Sequence, residues 1–584
     1  MIFEELPDEL LLEICRFLSS TDVLYSLFNL NSRLNRTISI YRQHVVLRRT
    51  SFIQFEYICL NILPKLGSTI RSLSINANWT DLLAKRFLFY FGYRMKEIFP
   101  NIEHLILVAF SGNELNDYIE SISDLPYLNK LTIHDRYNVT EEYKQTLFNK
   151  ILSANKNRLK KILFNRHSES LSINQLNSII YPNIIELNIH LEKIDDLRYL
   201  FKLIPNICQM YIIIDKQLKD DIIQFDELIM YNLVKFRMES FRRCWIFDEI
   251  SSLLKQMPFI KYLSLDIFSQ DVRLFNGQLF LSILPINTLQ CFNYAIDYTL
   301  EEEIENIDNI ILSWSSTPYS ICCLLNDDKS HMFLHTIPYG FSYLDISSLF
   351  IKYMNKKTNG YNYYIKELLI FNVSTLSEIF VMMNYCNKVK DLALEINDIS
   401  SSIITEHKQE NKINLSLPCL NQLHWFSIDG CPSDGYLLKE ILLVAPNLSM
   451  LILDMKFLLQ LIDKENDHLC ISLLKNRIKH LSIQITDETE LNDNNIEILS
   501  NVFILIHHII VENKTSNDIS IENIILLFLH HFKTHKLVSI IFRSSTTEQL
   551  RYNPSQWLIE NTYLKEYTDK FKAECDELEF KIWL

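Results

Sequence analysis

One apolar spacing recurs along almost the whole chain, and it restricts the fold more than any other feature. Its clearest copy lies in MPFIKYLSLDI, residues 257–267, where Ile260 is followed by Leu263 and Leu265 at +3 and +5. The same spacing returns at Ile70/Leu73/Ile75, Ile102/Leu105/Leu107, Ile207/Met210/Ile212, Leu289/Phe292/Tyr294, Ile365/Leu368/Ile370, Leu420/Leu423/Trp425, Leu448/Leu451/Leu453 and Leu537/Ile540/Phe542, among others. Poorer copies start at Tyr319, Phe341 and Ile504. Eighteen starts spread over the 467 residues from 70 to 537, a step of about 27.5 residues, which is a solenoid period.

In each copy the last two apolar positions alternate with mostly polar ones, as in a short strand with one buried face. Segments with helical spacing lie between copies, such as FDEISSLLKQM (247–257) and DGYLLKEILLV (434–444). Many close on Pro-Asn or Pro-aromatic before the next strand, as at Pro100-Asn101, Pro182-Asn183, Pro205-Asn206, Pro258-Phe259 and Pro446-Asn447. Proline ends a helix and biases its predecessor towards extended backbone. The expected class is therefore α/β, with strand, helix and parallel strand in right-handed succession. The pattern resembles the leucine-rich repeat family, whose consensus runs L-x-x-L-x-L. That resemblance implies a curved array with parallel inner strands and outer helices over 52–549. Asn78 falls where the family places a ladder asparagine, but most later copies lack it and many steps exceed the usual length.

Composition narrows the function. A hydrophobic fraction of 48% describes a core-building chain, and only 8 Gly leave no GxxxxGK[ST], GxGxxG or GxSxG string on which phosphate-loop or nucleophile-elbow chemistry depends. A net charge of −14 repels a phosphate backbone, so nucleic acid is not an expected partner. The 12 Cys form no CxxC pair. MIFEELPDEL lacks the basic and apolar regions of a secretory signal, and no apolar run is long enough to span a bilayer. No membrane association and a cytoplasmic or nuclear location are expected.

Residues 1–50 do not share the repeat. Pro7 suits the first turn of a helix, Asp8 and Glu9 complement its N-terminus, and Leu10, Leu11, Ile14, Phe17 and Leu18 fall on one face. Ser20 or Thr21 is placed to cap a second helix carrying Leu24, Leu27 and Phe28, and Asn31 a third carrying Leu34 and Ile38. Three helices in about 40 residues can hardly bury these side chains among themselves, which implies a partner. Leu6-Pro7-x-Glu9-Leu10, Ile14, Phe17-Leu18, Asp22-Val23-Leu24, Leu27 and Leu30-Asn31-x-Arg33-Leu34 resemble an F-box. Leu34 stands where such motifs often carry Trp. The resemblance implies docking on the Skp-type adaptor of a cullin-RING (SCF-type) ubiquitin ligase through Leu6, Pro7, Leu10, Ile14, Leu18, Leu27 and Leu34. The alternative is a helical cap on the first repeat.

The remaining segments add less. The acidic run at 300–308 reads as a solvated helix face, and 319–364, where the repeat is least clear, as a place for a loop insertion. Residues 550–584 read as a C-terminal cap, with EFKIWL a closing strand. His531 and His535 share a helix face at i, i+4, with His530 beside them, but Phe532 replaces the Glu of a zinc protease and no Cys is near. No metal, cofactor or catalytic residue is assigned, and a non-enzymatic adaptor is expected, or else a scaffold without ubiquitin transfer. Its protein substrate is expected on the concave sheet, at side chains flanking the buried pairs: Tyr262, Ser264, Asp266, Glu367, Phe371, His424, Phe426 and His480.

Overall fold

Each copy of the apolar spacing builds one strand together with the turn that feeds it. In the computed structural model Ile260, Leu263 and Leu265 are all fully buried, and Leu263 and Leu265 lie in the strand Tyr262–Ser269. Ile260 sits in the turn, where its N–H bonds the carbonyl of a buried residue three positions earlier, Met257, at 3.3 Å. The same bond recurs from Ile207 to Ile204 (3.2 Å), Leu233 to Met230 (3.2 Å) and Leu448 to Ala445 (3.2 Å). The structure describes residues 6–584 except 79–81, 111, 135–140, 169, 174–178, 215–224, 226–227, 300–306, 326–330, 349, 351–364, 374–375, 397–417, 431–435, 464–467, 487–490, 515–519 and 534. Most of the acidic run 300–308, much of the expected insertion in 319–364 and the start of the helix read at 434–444 therefore lie outside the described residues.

The Pro-Asn signature has a structural reason. Asn101, Asn183, Asn206 and Asn447 each donate a side-chain N–H to a main-chain carbonyl in the turn of the preceding repeat: Ser68 (2.7 Å), Asn157 (2.8 Å), Pro182 (3.0 Å) and Asn421 (2.7 Å). Thr288 takes the same place with its hydroxyl, 3.3 Å from the Pro258 carbonyl. The ladder thus stands just before the strand, not after it where Asn78 lies; the N–H of Asn78 is instead taken by Asn76 Oδ1 at 3.0 Å.

Two frames shift for the same reason. The strand Trp425–Asp429 buries Phe426 and Ile428, led by Leu423, and pairs Phe426 with Leu392 on one side and Leu451 on the other. Leu420 is the residue three before, whose carbonyl takes the Leu423 N–H at 3.1 Å, so the copy starts at 423. The copy expected at Ile504 starts at Ile506, with Ile509 and Val511 buried and Ile504 exposed.

The chain is a mixed α/β protein built on mostly parallel sheets, in two compact units. In the first, the described strands form a twelve-stranded sheet whose first ten, from His44–Leu47 to Cys291–Thr299, follow chain order and pair in parallel. Then His331–Ile337 enters antiparallel beside Cys291–Thr299, and Ser320–Leu325 takes the edge, so the copy at Tyr319 is not a parallel step. In the second, eight parallel strands from Tyr343–Ser347 to Ser539–Arg543 begin a ten-stranded sheet. Helices between strands bury one stripe each; Phe247–Lys255 buries Ile250, Leu253 and Leu254. The sequence reading expected one unbroken array, and the antiparallel pairing after residue 299 is where the parallel run stops.

Both ends close a sheet. At the N-terminus, α1 (Asp8–Arg16), α2 (Ser20–Leu27) and α3 (Ser32–Thr37) precede the strand His44–Leu47, which the sequence reading had grouped with the helices. Asn31 caps α3 as expected, accepting the Leu34 N–H at 2.8 Å, but α2 is capped by Ser19 rather than Ser20 or Thr21. At the C-terminus, Glu579–Trp583 pairs antiparallel with Ser539–Arg543, burying Phe580, Ile582 and Trp583, so EFKIWL is a closing strand. Lys572–Cys575 lies outside it.

A ladder amide bonded to a turn carbonyl contributes on the order of 1 kcal/mol. Asn206→Ala and Asn447→Ala are each expected to lower the free energy of unfolding in urea by about that amount, while Gln278→Ala, at an exposed position outside the ladder, changes it by less than about 0.5 kcal/mol.

Candidate functional site

The N-terminal helices divide their apolar residues between two destinations. α2 turns Val23, Leu24 and Leu27 inward, packing on His44–Leu47 and on the helical turn Ile58–Ile62. Polar links fix it there: the Val46 N–H donates to Ser20 Oγ (3.2 Å), and Gln54 Nε2 donates to Asp22 Oδ1 (2.8 Å). α1 turns only Leu11 and Cys15 inward. Leu10 and Ile14 lie on its outer face and Phe17 and Leu18, at i+7 and i+8, in the turn that ends it; the four are 50%, 39%, 88% and 42% exposed. Pro7, in the N-cap position of α1, is exposed too, and Leu6 is half-buried.

Leu27 and Leu34, expected as adaptor contacts, are buried within the unit. Their side chains hold the helices and the first strand together and are not open to a partner. Arg33 fastens α3 to the start of α1: its Nε donates to Asp8 Oδ1 at 2.8 Å and its Nη2 to the Leu6 carbonyl. Hydrogen bonding from that guanidinium holds the Asp8 carboxyl below its ordinary range.

On the first sheet, openness falls along the strand Tyr262–Ser269. Tyr262 is exposed, Ser264 is half-buried and accepts from Asn293 Nδ2 (3.1 Å), and Asp266 is buried. Asp266 pairs in register with Glu239, itself fully buried. Around Glu239 the Tyr211 hydroxyl donates, Arg237 Nη2 lies at 2.8 Å and Arg166 Nε at 3.7 Å, and the Arg237 guanidinium stacks 4.8 Å from the Tyr211 ring centre. Burial first, then the Glu239 charge, push the Tyr211 phenol above its ordinary range. Glu239 Oε1 takes both the phenol and Arg237, while the buried Oε2 has only the Arg166 charge, beyond hydrogen-bond reach; with no nucleophile beside it, the cluster is a structural ion-pair network. Asp266 is therefore not an open recognition group. The network was invisible in the sequence because Arg166 and Tyr211 sit on other repeats than Arg237 and Glu239; the one available signal was a shared place in the strands, Tyr211 and Arg237 both falling between two buried positions.

The other expected recognition residues lie on the second sheet. Glu367 and Phe371 are half-buried in the strand Glu367–Val373, and His424 is exposed in the turn before its strand, its Nδ1 3.2 Å from the Asn447 carbonyl. Phe426 belongs to the core, for the frame reason given above. His480 is buried because its ring stacks on that of His508, 4.8 Å between centres and 17° between planes, while His508 Nδ1 lies 2.8 Å from Ser539 Oγ. Trp583 pairs with Ser539 and is fully buried at the end of that row.

Among the described residues no cluster of His, Cys, Asp or Glu is arranged to hold a metal, and no helix is long and apolar enough to cross a membrane. His531 and His535 reach back to the preceding helix: His531 Nε2 lies 2.9 Å from Asp493 Oδ1, and His535 Nε2 donates to the Ser500 carbonyl at 3.0 Å. Asp196 has its pKa pushed up to about 7, chiefly by burial and only partly opposed by the Ile173 N–H. Its acid–base neighbours are Lys193, Glu192 and Asp195, none of them a nucleophile. A scan against protein-family models finds no match, and a search of curated proteins finds none either.

Two expectations follow from these placements. Phe426→Ala is expected to lower stability by about 3–5 kcal/mol through the lost burial and the cavity left, and Tyr262→Ala by less than about 0.5 kcal/mol, both read by urea unfolding. Asp196 binds its proton more tightly folded than unfolded, so it favours the folded state at low pH and loses that contribution as pH rises from about 4 to about 7. Asp196→Asn should therefore be more stable than the parent at pH ~8, with a difference on the order of 1 kcal/mol or more that vanishes near pH ~4.

Proposed function

We propose that this chain is a non-catalytic, substrate-recognition subunit of an SCF-type ubiquitin ligase: its N-terminal helices act as an F-box that docks on a Skp-type adaptor, and a leucine-rich-repeat-like array holds the protein to be ubiquitinated. The observation that carries this reading is the outer face of α1. Leu10, Ile14, Phe17 and Leu18 remain open although the neighbouring helix buries Val23, Leu24 and Leu27 against the first repeat. Four large apolar side chains on α1 and the turn that ends it, next to a Leu-Pro start, make a patch suited to a partner's groove. Their positions coincide with those of the F-box resemblance, with Leu6 and Pro7 at the edge of the patch. The docking set is accordingly the α1 face, without Leu27 and Leu34.

A second reading, that the helices only cap the array, is favoured by the burial of α2 on the first strand. Capping and docking use different residues and are compatible. The scaffold without ubiquitin transfer shares the docking surface and differs in whether cullin joins the complex.

Truncating or charging an interface anchor costs on the order of 2–4 kcal/mol of binding. Ile14→Asp is expected to abolish co-purification with the Skp-type adaptor while leaving the thermal unfolding curve unchanged, because Ile14 is exposed in the free chain. Retained co-purification by the folded variant refutes adaptor docking. Adaptor binding without recruitment of cullin selects the scaffold reading.

A further inference from the structure

The strands of the first sheet begin along an edge whose chemistry differs from that of the whole chain. Proline and asparagine turns stack there, and they leave large apolar side chains in solvent: Tyr127, Ile185, Tyr231, Phe259, Tyr262 and Ile286. Tyr231 and Phe259, on consecutive turns, have ring centres 6.2 Å apart. A run of open apolar groups rimmed by polar ones marks an interaction surface more often than chance exposure does.

The rim is basic, in a protein of net charge −14. The register runs Lys130, Lys161, Glu186, Gln209, Lys235, Tyr262 across consecutive strands. One residue earlier the main chains of Lys160 and Lys261 bond to the preceding repeat, at Asn129 O (2.8 Å) and Val234 O (2.8 Å). Carboxylates nearby are already engaged: Glu103 with Arg71 (2.7 Å), Glu186 with Lys161 (2.6 Å) and Asp124 with Lys156. No described carboxylate pairs with Lys130, Lys160, Lys235 or Lys261. His104, whose own register partner is Lys130, is held neutral, its pKa pushed down to about 4 by burial and then by the Lys130 charge.

We propose that this strand-entry edge is a docking surface for an acidic segment of a protein partner, one that carries aromatic or aliphatic side chains between its carboxylates. The proposal rests on the reading that the array binds a protein, and gives that partner its chemistry and its place at the turns. Unpaired lysines supply charge complementarity, and Tyr231, Phe259 and Tyr262 supply the aromatic anchors that interfaces favour. Four strand steps separate Lys130 from Lys235, about 19 Å, which roughly six residues of extended chain span. A nucleic acid is the less favoured occupant because the chain as a whole carries a net charge of −14, which repels a long phosphate backbone.

The test uses the full chain and a random-peptide phage library, with a labelled oligothymidylate as the nucleic-acid probe. Peptides enriched on the parent are expected to be rich in Asp and Glu with interspersed aromatic or aliphatic residues, and to bind more weakly as salt is raised. Lys130→Glu/Lys235→Glu/Lys261→Glu should weaken the enriched peptides by about tenfold or more in fluorescence anisotropy. Tyr231→Ser/Phe259→Ser, which leaves the charges in place, should do so by about tenfold. All five positions are at the surface, and thermal unfolding checks that each variant folds. The proposal is overturned if no peptide is enriched, if enriched peptides lack an acidic bias, if both folded variants bind them like the parent, or if oligothymidylate displaces them. Ile14→Asp should keep peptide binding, and the charge-reversed variant should keep adaptor co-purification, so failure of the edge is distinguished from failure of the α1 face.

Discussion

Everything in the array depends on how the turn before each strand disposes of its main-chain polar groups. Parallel strands lie about 4.8 Å apart, so the turns that feed them must stack at the same spacing, and stacking brings the carbonyls of one turn within hydrogen-bond reach of the next. In the repeats whose turn carries Asn or Thr, the chain meets this demand with two bonds. One closes the turn on itself, as in Ile260 to Met257, and the other ties it to the turn before, through Asn206 to Pro182 or Asn447 to Asn421. Without the second bond nothing but the strand ladder would hold successive repeats in register at this edge.

That arrangement explains why the sheet's polar face is uneven. Near the strand entries the turns fix the backbone and the side chains are free to face solvent, as Tyr262 does. Further along the same strands the side chains must satisfy one another, and Glu239, Tyr211 and Arg237 do so on neighbouring strands. The network is dry enough that removing one member leaves a buried charge without its partner, so it fixes geometry more than it recognises ligands. Recognition is better placed where exposure is cheap, at the entries.

Periodicity made the strands legible: Leu263 and Leu265, like their counterparts in most copies, occupy the buried places that a +3 and +5 spacing assigns. It failed where two frames fit equally. Leu420, Leu423 and Trp425 obey the same spacing as Leu423, Phe426 and Ile428, because the turn residue three before the first position is also apolar. Only the neighbouring repeat, through Asn447 and the pairing with Leu392 and Leu451, decides between them. His44–Leu47 escaped notice because four residues carry no period, and the burial of His480 depends on a ring from the next repeat. Each of these is a fact of tertiary packing that a single copy of the repeat does not contain.

The N-terminal helices show the same limit and its consequence for function. Spacing grouped Leu10, Leu11, Ile14, Phe17 and Leu18 on one face, yet Leu11 turns inward with Cys15 because α3 lies on that side, anchored by Arg33 to Asp8. The remaining four are left outside, and the difference between α1 and α2 then becomes informative. Both helices are apolar enough to need cover, and the first repeat covers only one. A helix held in place by Arg33 at its start presents its open face without further ordering, so a partner that covers it gives up little conformational entropy on its account. An exposed apolar stripe on a fixed helix is what the proposed docking requires, whereas slack in the packing would be expected on a segment with nothing to hold it.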